Sequence, residues 1–179
     1  ASMDRFRGIR IFDISDITNP MQVGAVQTCR GSHTHSVVAG PTADNKIVVY
    51  NSGTGRIRDD EEMESCIDDI GDTRTALFRI DVIEIPINNP SASKIVSSPA
   101  VFADEETGQL AGLWRGGDHG DPYKTQTTRM TNQCHDITVF PTKNLAAGAC
   151  SGNGILFDIS DPYSPTRIDV VTDTGFAYW

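Results

Sequence analysis

The chain has 179 residues, enough to bury a core as one domain, and its formal net charge is −9 from 24 acidic and 15 basic side chains. This acidic balance argues against nucleic acid and against an anionic membrane surface, because both need basic patches. No apolar run approaches the ~18 residues of a transmembrane helix, so we expect no membrane insertion.

Short β-rich segments separated by turns follow from the amino terminus. Strands are predicted at residues 9–14, 22–27, 33–39 and 46–51, with Asp, Pro and Gly supplying the turn chemistry between them. Residues 58–72 break this pattern with eight acids and one Arg, which predicts a solvated insertion between strands.

The strand pattern returns after the insertion. Strands are predicted at residues 77–85, 95–102, 135–140 and 145–150. Between them, residues 103–133 form a long, Gly-rich and polar connection, and loops of this length inside a compact domain are often functional.

An Asp-Ile-Ser-Asp segment occurs twice, within Gly8–Thr28 and Gly154–Thr172, and a looser copy lies within Ala76–Phe102. Each copy has a strand, a Pro-containing turn and a second strand. The acids that recur at one strand position are Asp13, Asp81 and Asp158. We expect their carboxylates to accept backbone N–H bonds at the turn, which is a structural role.

A second repeat begins at a histidine. His35 and His135 are each followed by five residues, Pro-Thr, a turn, an apolar strand and Ser-Gly. Joined to the first repeat, this gives four short antiparallel strands per unit, which is the blade of a β-propeller.

The predicted fold is therefore all-β: one domain over residues 1–179, a β-propeller segment of about two and a half four-stranded blades that is part of a larger ring. Closed rings need at least about four blades, so we expect the rest of the propeller to come from the same polypeptide or from other chains. The predicted parts are a partial blade (1–28), a blade with the acidic insertion at 58–72 (33–102), a loop (103–133), a blade (134–172) and the start of another (176–179).

The segments GIRIFDISDITNP and GILFDISDPYSP resemble the repeat of the LVIVD-repeat β-propeller proteins, and LFRIDVIEIPINNP departs from it by Ile-Glu in place of Ser-Asp. The resemblance implies a propeller of a bacterial family that is often exported or anchored at the surface. The histidine strands are also similar to those of the selenium-binding-protein propellers, in which blade-start histidines can bind a metal.

Three histidines are candidate metal ligands. His33 and His35 are two residues apart on a predicted strand and so face the same side. First strands line the central channel of a propeller, so His35 and His135 are expected to converge there, and converging imidazoles are the usual ligands of a divalent transition metal. The alternative is a purely structural role, in which each imidazole bonds to the neighbouring blade.

His119 is a fourth candidate ligand, with acids on either side in the segment GGDHGD. Carboxylate and imidazole groups on a pliable loop suit Ca²⁺ or a transition metal. A solvated loop without a metal is the alternative.

The four cysteines allow three disulfide pairings, and the alternative is four free thiols in a cytosolic protein. The predicted hairpin brings Cys134 close to Cys150, which leaves Cys29 to pair with Cys66. Two disulfides favour an extracellular or cell-surface location.

Two functions remain open from the sequence. One is a secreted or cell-surface scaffold that binds a protein or glycan, with or without a metal site at the channel. The other is a propeller metalloenzyme, an oxidoreductase or hydrolase that uses the channel histidines. The chain contains no nucleophile elbow, P-loop or dinucleotide fingerprint, so no catalytic residue and no organic cofactor is assigned.

Overall fold

The computed structural model describes residues 2, 4–103, 112–118, 120, 122–123 and 127–172. Within these ranges the chain forms β-strands and two short 3-10 turns, Pro90–Ala92 and Pro141–Lys143, and no α-helix. The prediction of an all-β fold is confirmed. None of the helical turns in the described part of the chain is long and apolar enough to cross a bilayer.

The strands are numbered in chain order. They are β1 (Gly8–Asp13), β2 (Met21–Gln27), β3 (Thr34–Ala39), β4 (Lys46–Ser52), β5 (Asp81–Pro86), β6 (Lys94–Ser97), β7 (Gly117–Asp118), β8 (Thr127–Thr128), β9 (Cys134–Phe140), β10 (Leu145–Cys150), β11 (Asn153–Asp158) and β12 (Thr166–Thr172).

These strands form two four-stranded sheets, β3-β4-β5-β6 and β9-β10-β11-β12, and two hairpins, β1-β2 and β7-β8. Neighbouring strands pair antiparallel throughout, so each four-stranded sheet is a simple meander. We call β3–β6 the middle sheet. The β7-β8 hairpin lies within the Gly-rich connection at residues 103–133.

Two of the repeated acids make the expected turn. Asp13 ends β1 and accepts the Ser15 backbone N–H at 2.8 Å, and Asp158 ends β11 and accepts the Ser160 backbone N–H at 2.7 Å. The serine hydroxyls bond to the same carboxylates, and these bonds lower the pKa of Asp13 and of Asp158. The structural role predicted for both acids is confirmed.

Asp81 differs, and its predicted place at the same strand position is wrong. It begins β5, opposite Asn51, whereas Pro86 ends that strand before the turn. Val82, Ile83 and Ile85 extend the strand to Pro86, so the turn follows five residues later than expected. The buried Asp81 carboxylate accepts the Ser98 hydroxyl at 2.9 Å and lies 3.3 Å from Arg79, and burial raises its pKa.

The middle sheet is covered on both faces. One face packs against the β1-β2 hairpin in an apolar cluster of Ile9, Val26, Val49, Ile83 and Ile85. The other face packs against the β9–β12 sheet in a larger cluster that includes Val48, Tyr50, Val82, Ile137, Ile155 and Phe157. The three units therefore stack face to face in chain order.

The first strands of the two four-stranded sheets lie side by side. The Thr34 hydroxyl donates to the His135 carbonyl at 2.9 Å, and the Ser36 hydroxyl donates to the Ile137 carbonyl at 2.5 Å. Ser52, at the end of β4, donates its hydroxyl to the Cys134 carbonyl at 2.5 Å. These bonds fix β9 against the first two strands of the middle sheet.

The acidic insertion is only partly solvated. Asp59, Asp60 and Glu61 are exposed as expected, but Cys66 is buried in a cluster with Cys29 and with Ile57 and Ala76, which flank the insertion. The insertion is therefore attached to the loop between β2 and β3 through a small apolar cluster.

Candidate functional site

The structure brings two of the predicted histidines together at the junction of β3 and β9. The ring centroids of His33 and His135 are 4.6 Å apart, and the ring planes are tilted by 38°. The backbone N–H of His33 donates to the Ser52 carbonyl at 2.8 Å, which places His33 beside the end of β4. The two imidazole rings therefore meet because the middle sheet packs against the β9–β12 sheet.

His35 takes a different position. Thr34 and Ser36 direct their hydroxyls toward β9, so alternation along the strand puts His35 on the opposite side of β3. Its Nδ1 atom is 3.1 Å from the Ser32 hydroxyl, and the residue is exposed.

Metal binding at these histidines stays a prediction. Among the described residues, no three His, Cys, Asp or Glu side chains come together in a group that could hold a metal ion. His119 lies outside the described residues. Its neighbour Asp118 ends β7 and accepts the Gly120 backbone N–H at 2.7 Å.

Both expected disulfide pairs are present in the structure. Cys134 and Cys150 are paired across β9 and β10, with their Cα atoms 3.8 Å apart, and their bond lies directly before His135. Cys29 and Cys66 are bonded with their Cα atoms 5.3 Å apart, which ties the acidic insertion to the loop before β3.

A buried ion pair in the acidic insertion was not predicted from the sequence. The Arg58 and Glu62 side chains are 0% and 1% exposed, and Arg58 Nη1 donates to Glu62 Oε1 at 2.7 Å. Arg58 also donates to the Gln27 side chain and the Thr28 carbonyl, so each of its three guanidinium nitrogens makes a hydrogen bond. Arg5 donates two bonds to the same carboxylate, and these chiefly lower the pKa of Glu62. The i,i+4 spacing of Arg58 and Glu62 was the feature of the sequence that could have indicated this pair.

Arg30 joins the middle sheet to the segment before β9. Its guanidinium donates to the Gly55 carbonyl at 3.0 Å, the Asn132 carbonyl at 2.7 Å and the Gln133 side-chain oxygen at 2.8 Å. All three acceptors are neutral. Burial lowers the pKa of Arg30 to about 10, because the cation is largely withdrawn from water.

Two cavities meet at Arg30. One, of about 680 Å³, includes Arg56 and Arg129 in its walls. The other, of about 390 Å³, is lined by Arg7, Arg10 and His33. Both share Arg30 and the Thr54–Gly55 segment. The feature of the sequence that could have indicated these basic cavities is the charge distribution. Residues 1–58 hold seven of the 15 basic residues but four of the 24 acidic ones.

A third concavity, of about 710 Å³, lies on the β9–β12 sheet and has mainly apolar walls. It includes Ala147, Ala149, Leu156 and Val171, with Asp136 at the β9 end. The face of this sheet that packs on the middle sheet carries Ile137, Ile155 and Phe157, so the concavity belongs to the opposite face.

Comparison of the chain with protein-family models, with curated proteins and with solved structures finds no match. Neither the LVIVD-repeat resemblance nor the likeness to selenium-binding-protein propellers gains support from these comparisons.

Proposed function

We propose that this chain is a segment of a β-propeller similar to the LVIVD-repeat proteins, acting outside the cell or at its surface as a binding and structural scaffold. The observation that carries the proposal is the stack of the β1-β2 hairpin and two meander sheets, in which the first strands of successive sheets lie side by side. Radially repeated four-stranded meanders are the architecture of propellers.

Corresponding residues in the repeat support the same interpretation. Phe12, Ile85 and Phe157 are each the second-to-last residue of their strand, in β1, β5 and β11. Ile85 packs against the β1-β2 hairpin and Phe157 against the middle sheet, so each faces the unit that precedes its own. Phe12 would face a preceding unit in the same way, and it is 48% exposed.

The opposite end of the stack has a matching open face. The β9–β12 sheet presents the apolar concavity at Leu156 on the side where a following unit would pack. A larger ring would cover both open faces with its other blades, which the same polypeptide or other chains would supply. The ligand proposed for the scaffold is a protein or glycan held by the connecting loops.

The extracellular or surface location is supported by the two disulfides, since such bonds persist in oxidising compartments. Thiol titration of the unfolded protein after purification from its natural compartment tests this part. We expect no free thiol before reduction and four afterwards, and four free thiols before reduction would contradict it.

An experimental structure of the natural polypeptide tests the ring. We expect further four-stranded sheets packed on the Phe12 side of the hairpin and on the Leu156 face of the β9–β12 sheet. Solvent on both faces of the natural protein would overturn the proposal, because no neighbouring blade would then exist.

The second candidate function is a propeller metalloenzyme, an oxidoreductase or hydrolase, and the contact between the His33 and His135 rings favours it. Metal analysis of protein purified without chelator separates the two functions. The enzyme predicts a bound metal that is lost in His33→Ala and His135→Ala. If the folded protein is metal-free and takes up neither Zn²⁺ nor Co²⁺, the metalloenzyme is excluded and the scaffold is the remaining function.

A further inference from the structure

The 390 Å³ cavity near the amino terminus has an unusual charge for this protein; we call it the arginine cavity, defined by Arg7, Arg10, Arg30 and His33. The chain as a whole carries a net charge of −9, yet no carboxylate belongs to the walls of this cavity among the described residues. A concave site lined by one sign of charge concentrates counter-ions of the opposite sign.

Two of the nearby carboxylates are bonded to other cations. Glu62 is held by Arg5 and Arg58, and Asp81 is held by Arg79. Acids outside the cavity walls still act on it at a distance: Glu62 raises the pKa of Arg7, and Asp68 and then Asp81 raise that of Arg30. For both arginines, however, burial outweighs these attractions and lowers the pKa. The positive charge of the cavity is therefore left without a bonded carboxylate.

The guanidinium groups of the cavity are held in place by neutral partners. Arg7 Nη2 donates to the Arg56 carbonyl at 2.6 Å, and the Arg10 guanidinium lies 4.0 Å from the centroid of the Phe6 ring. A guanidinium has five N–H groups, so Arg7 and Arg10 keep donors for a ligand, while Arg30 contributes mainly charge. Groups fixed in advance lose little conformational entropy when a ligand binds.

Gly55 makes room for this arrangement. A Cβ atom at Gly55 would collide with Arg7 Nη2 and with the Arg30 carbonyl oxygen. The absence of a side chain there lets the Arg7 guanidinium lie against the Thr54–Gly55 segment, beside the loop that carries Arg30.

We propose that the arginine cavity binds the anionic group of a ligand, a phosphate, a sulfate or a carboxylate. Arg7 and Arg10 donate to its oxygens, as planar guanidinium groups do to such anions, and His33 lies at the β3 side of the site. The inference goes beyond the proposed scaffold, and it does not depend on the ring because every wall of the cavity lies within residues 6–55.

Titration of the folded chain with inorganic phosphate, inorganic sulfate and glucuronate tests the site and separates the three ligand sources. Amide NMR resonances of Gly31, Ser32 and Thr54 report binding, because these residues line the cavity. We expect saturable chemical-shift changes at these residues. The anion that binds with the lowest dissociation constant identifies the anionic group of the natural ligand.

Arg7→Gln and Arg10→Gln should each lower the affinity about tenfold, the loss expected for one charge-assisted hydrogen bond. Arg74→Gln is the matched control, since it removes the same charge from an exposed arginine that pairs with Asp72 outside the cavity. We expect it to leave the affinity within about twofold. Arg10 is exposed, so its variant should fold and keep the test informative if Arg7→Gln does not.

Two results would overturn the proposal. One is the absence of saturable shifts with all three anions in the folded wild-type chain. The other is an equal loss of affinity in Arg10→Gln and Arg74→Gln, because the effect would then come from overall charge and not from this cavity.

Discussion

The two four-stranded sheets share one topology and parts of one sequence repeat, yet they differ in burial. In the middle sheet, residues 48–52 of β4 are all buried. In the other sheet, β10 and β11 alternate between buried and partly buried residues. The difference arises because the middle sheet is covered on both faces, and a strand buried on both faces loses its alternation. Neighbouring units thus decide how much of each copy is buried.

Phe12 and Phe157 show the same contrast at a single repeat position. Phe157 is 0% exposed between the two sheets, whereas Phe12 is 48% exposed on the open side of the β1-β2 hairpin. Both precede the aspartate that ends their strand. The same residue in the same local sequence therefore has two environments.

The largest expected effect is the difference in stability between alanine variants of these two phenylalanines. Phe157→Ala should lower the free energy of unfolding by about 3–5 kcal/mol, because it leaves a cavity between two packed sheets. Phe12→Ala should cost about 0.5 kcal/mol or less in the isolated chain, since little packing is lost there. Urea denaturation of both variants with disulfides intact measures the difference. Equal losses would contradict the different packing of the two phenylalanines.

Removal of either disulfide should give the next largest loss in the free energy of unfolding. The sequence separations are 37 for Cys29–Cys66 and 16 for Cys134–Cys150. The loop-closure relation then gives about 4 kcal/mol for the first pair and about 3 kcal/mol for the second. Double Cys→Ala variants, unfolded in urea, measure both values. A loss below about 1 kcal/mol for either pair would show that the bond constrains the unfolded chain far less than this relation implies.

The smallest expected effect concerns the contact between first strands. Ser36→Ala removes the hydroxyl that donates to the Ile137 carbonyl and should cost about 1 kcal/mol. Asp136 occupies the corresponding position on β9 but is exposed, so Asp136→Ala should cost less. Thermal unfolding of the two variants gives the comparison, and a larger loss for Asp136→Ala would contradict the different roles of the two residues.

Much of the local structure could be predicted from residue patterns. Short β-branched runs between Asp, Pro and Gly turns gave the all-β fold, and Asp13 and Asp158 make the turn bonds expected of them. Cys134 and Cys150 are bonded across one hairpin, where residues close in sequence determine which atoms meet. Asp81 was misplaced because a longer apolar run moved the turn, and the repeat pattern alone does not show where a strand ends.

The sequence by itself determined the features that depend on near neighbours along the chain: strands, turns and the hairpin disulfide. The tertiary structure alone decided which faces are covered, and so why Phe157 is buried and Phe12 is exposed. It also decided that Arg58 and Glu62 are buried and that Arg7, Arg10 and Arg30 share one cavity. These outcomes depend on contacts between distant segments, and the burial of a charge depends on every group around it and not on its own sequence.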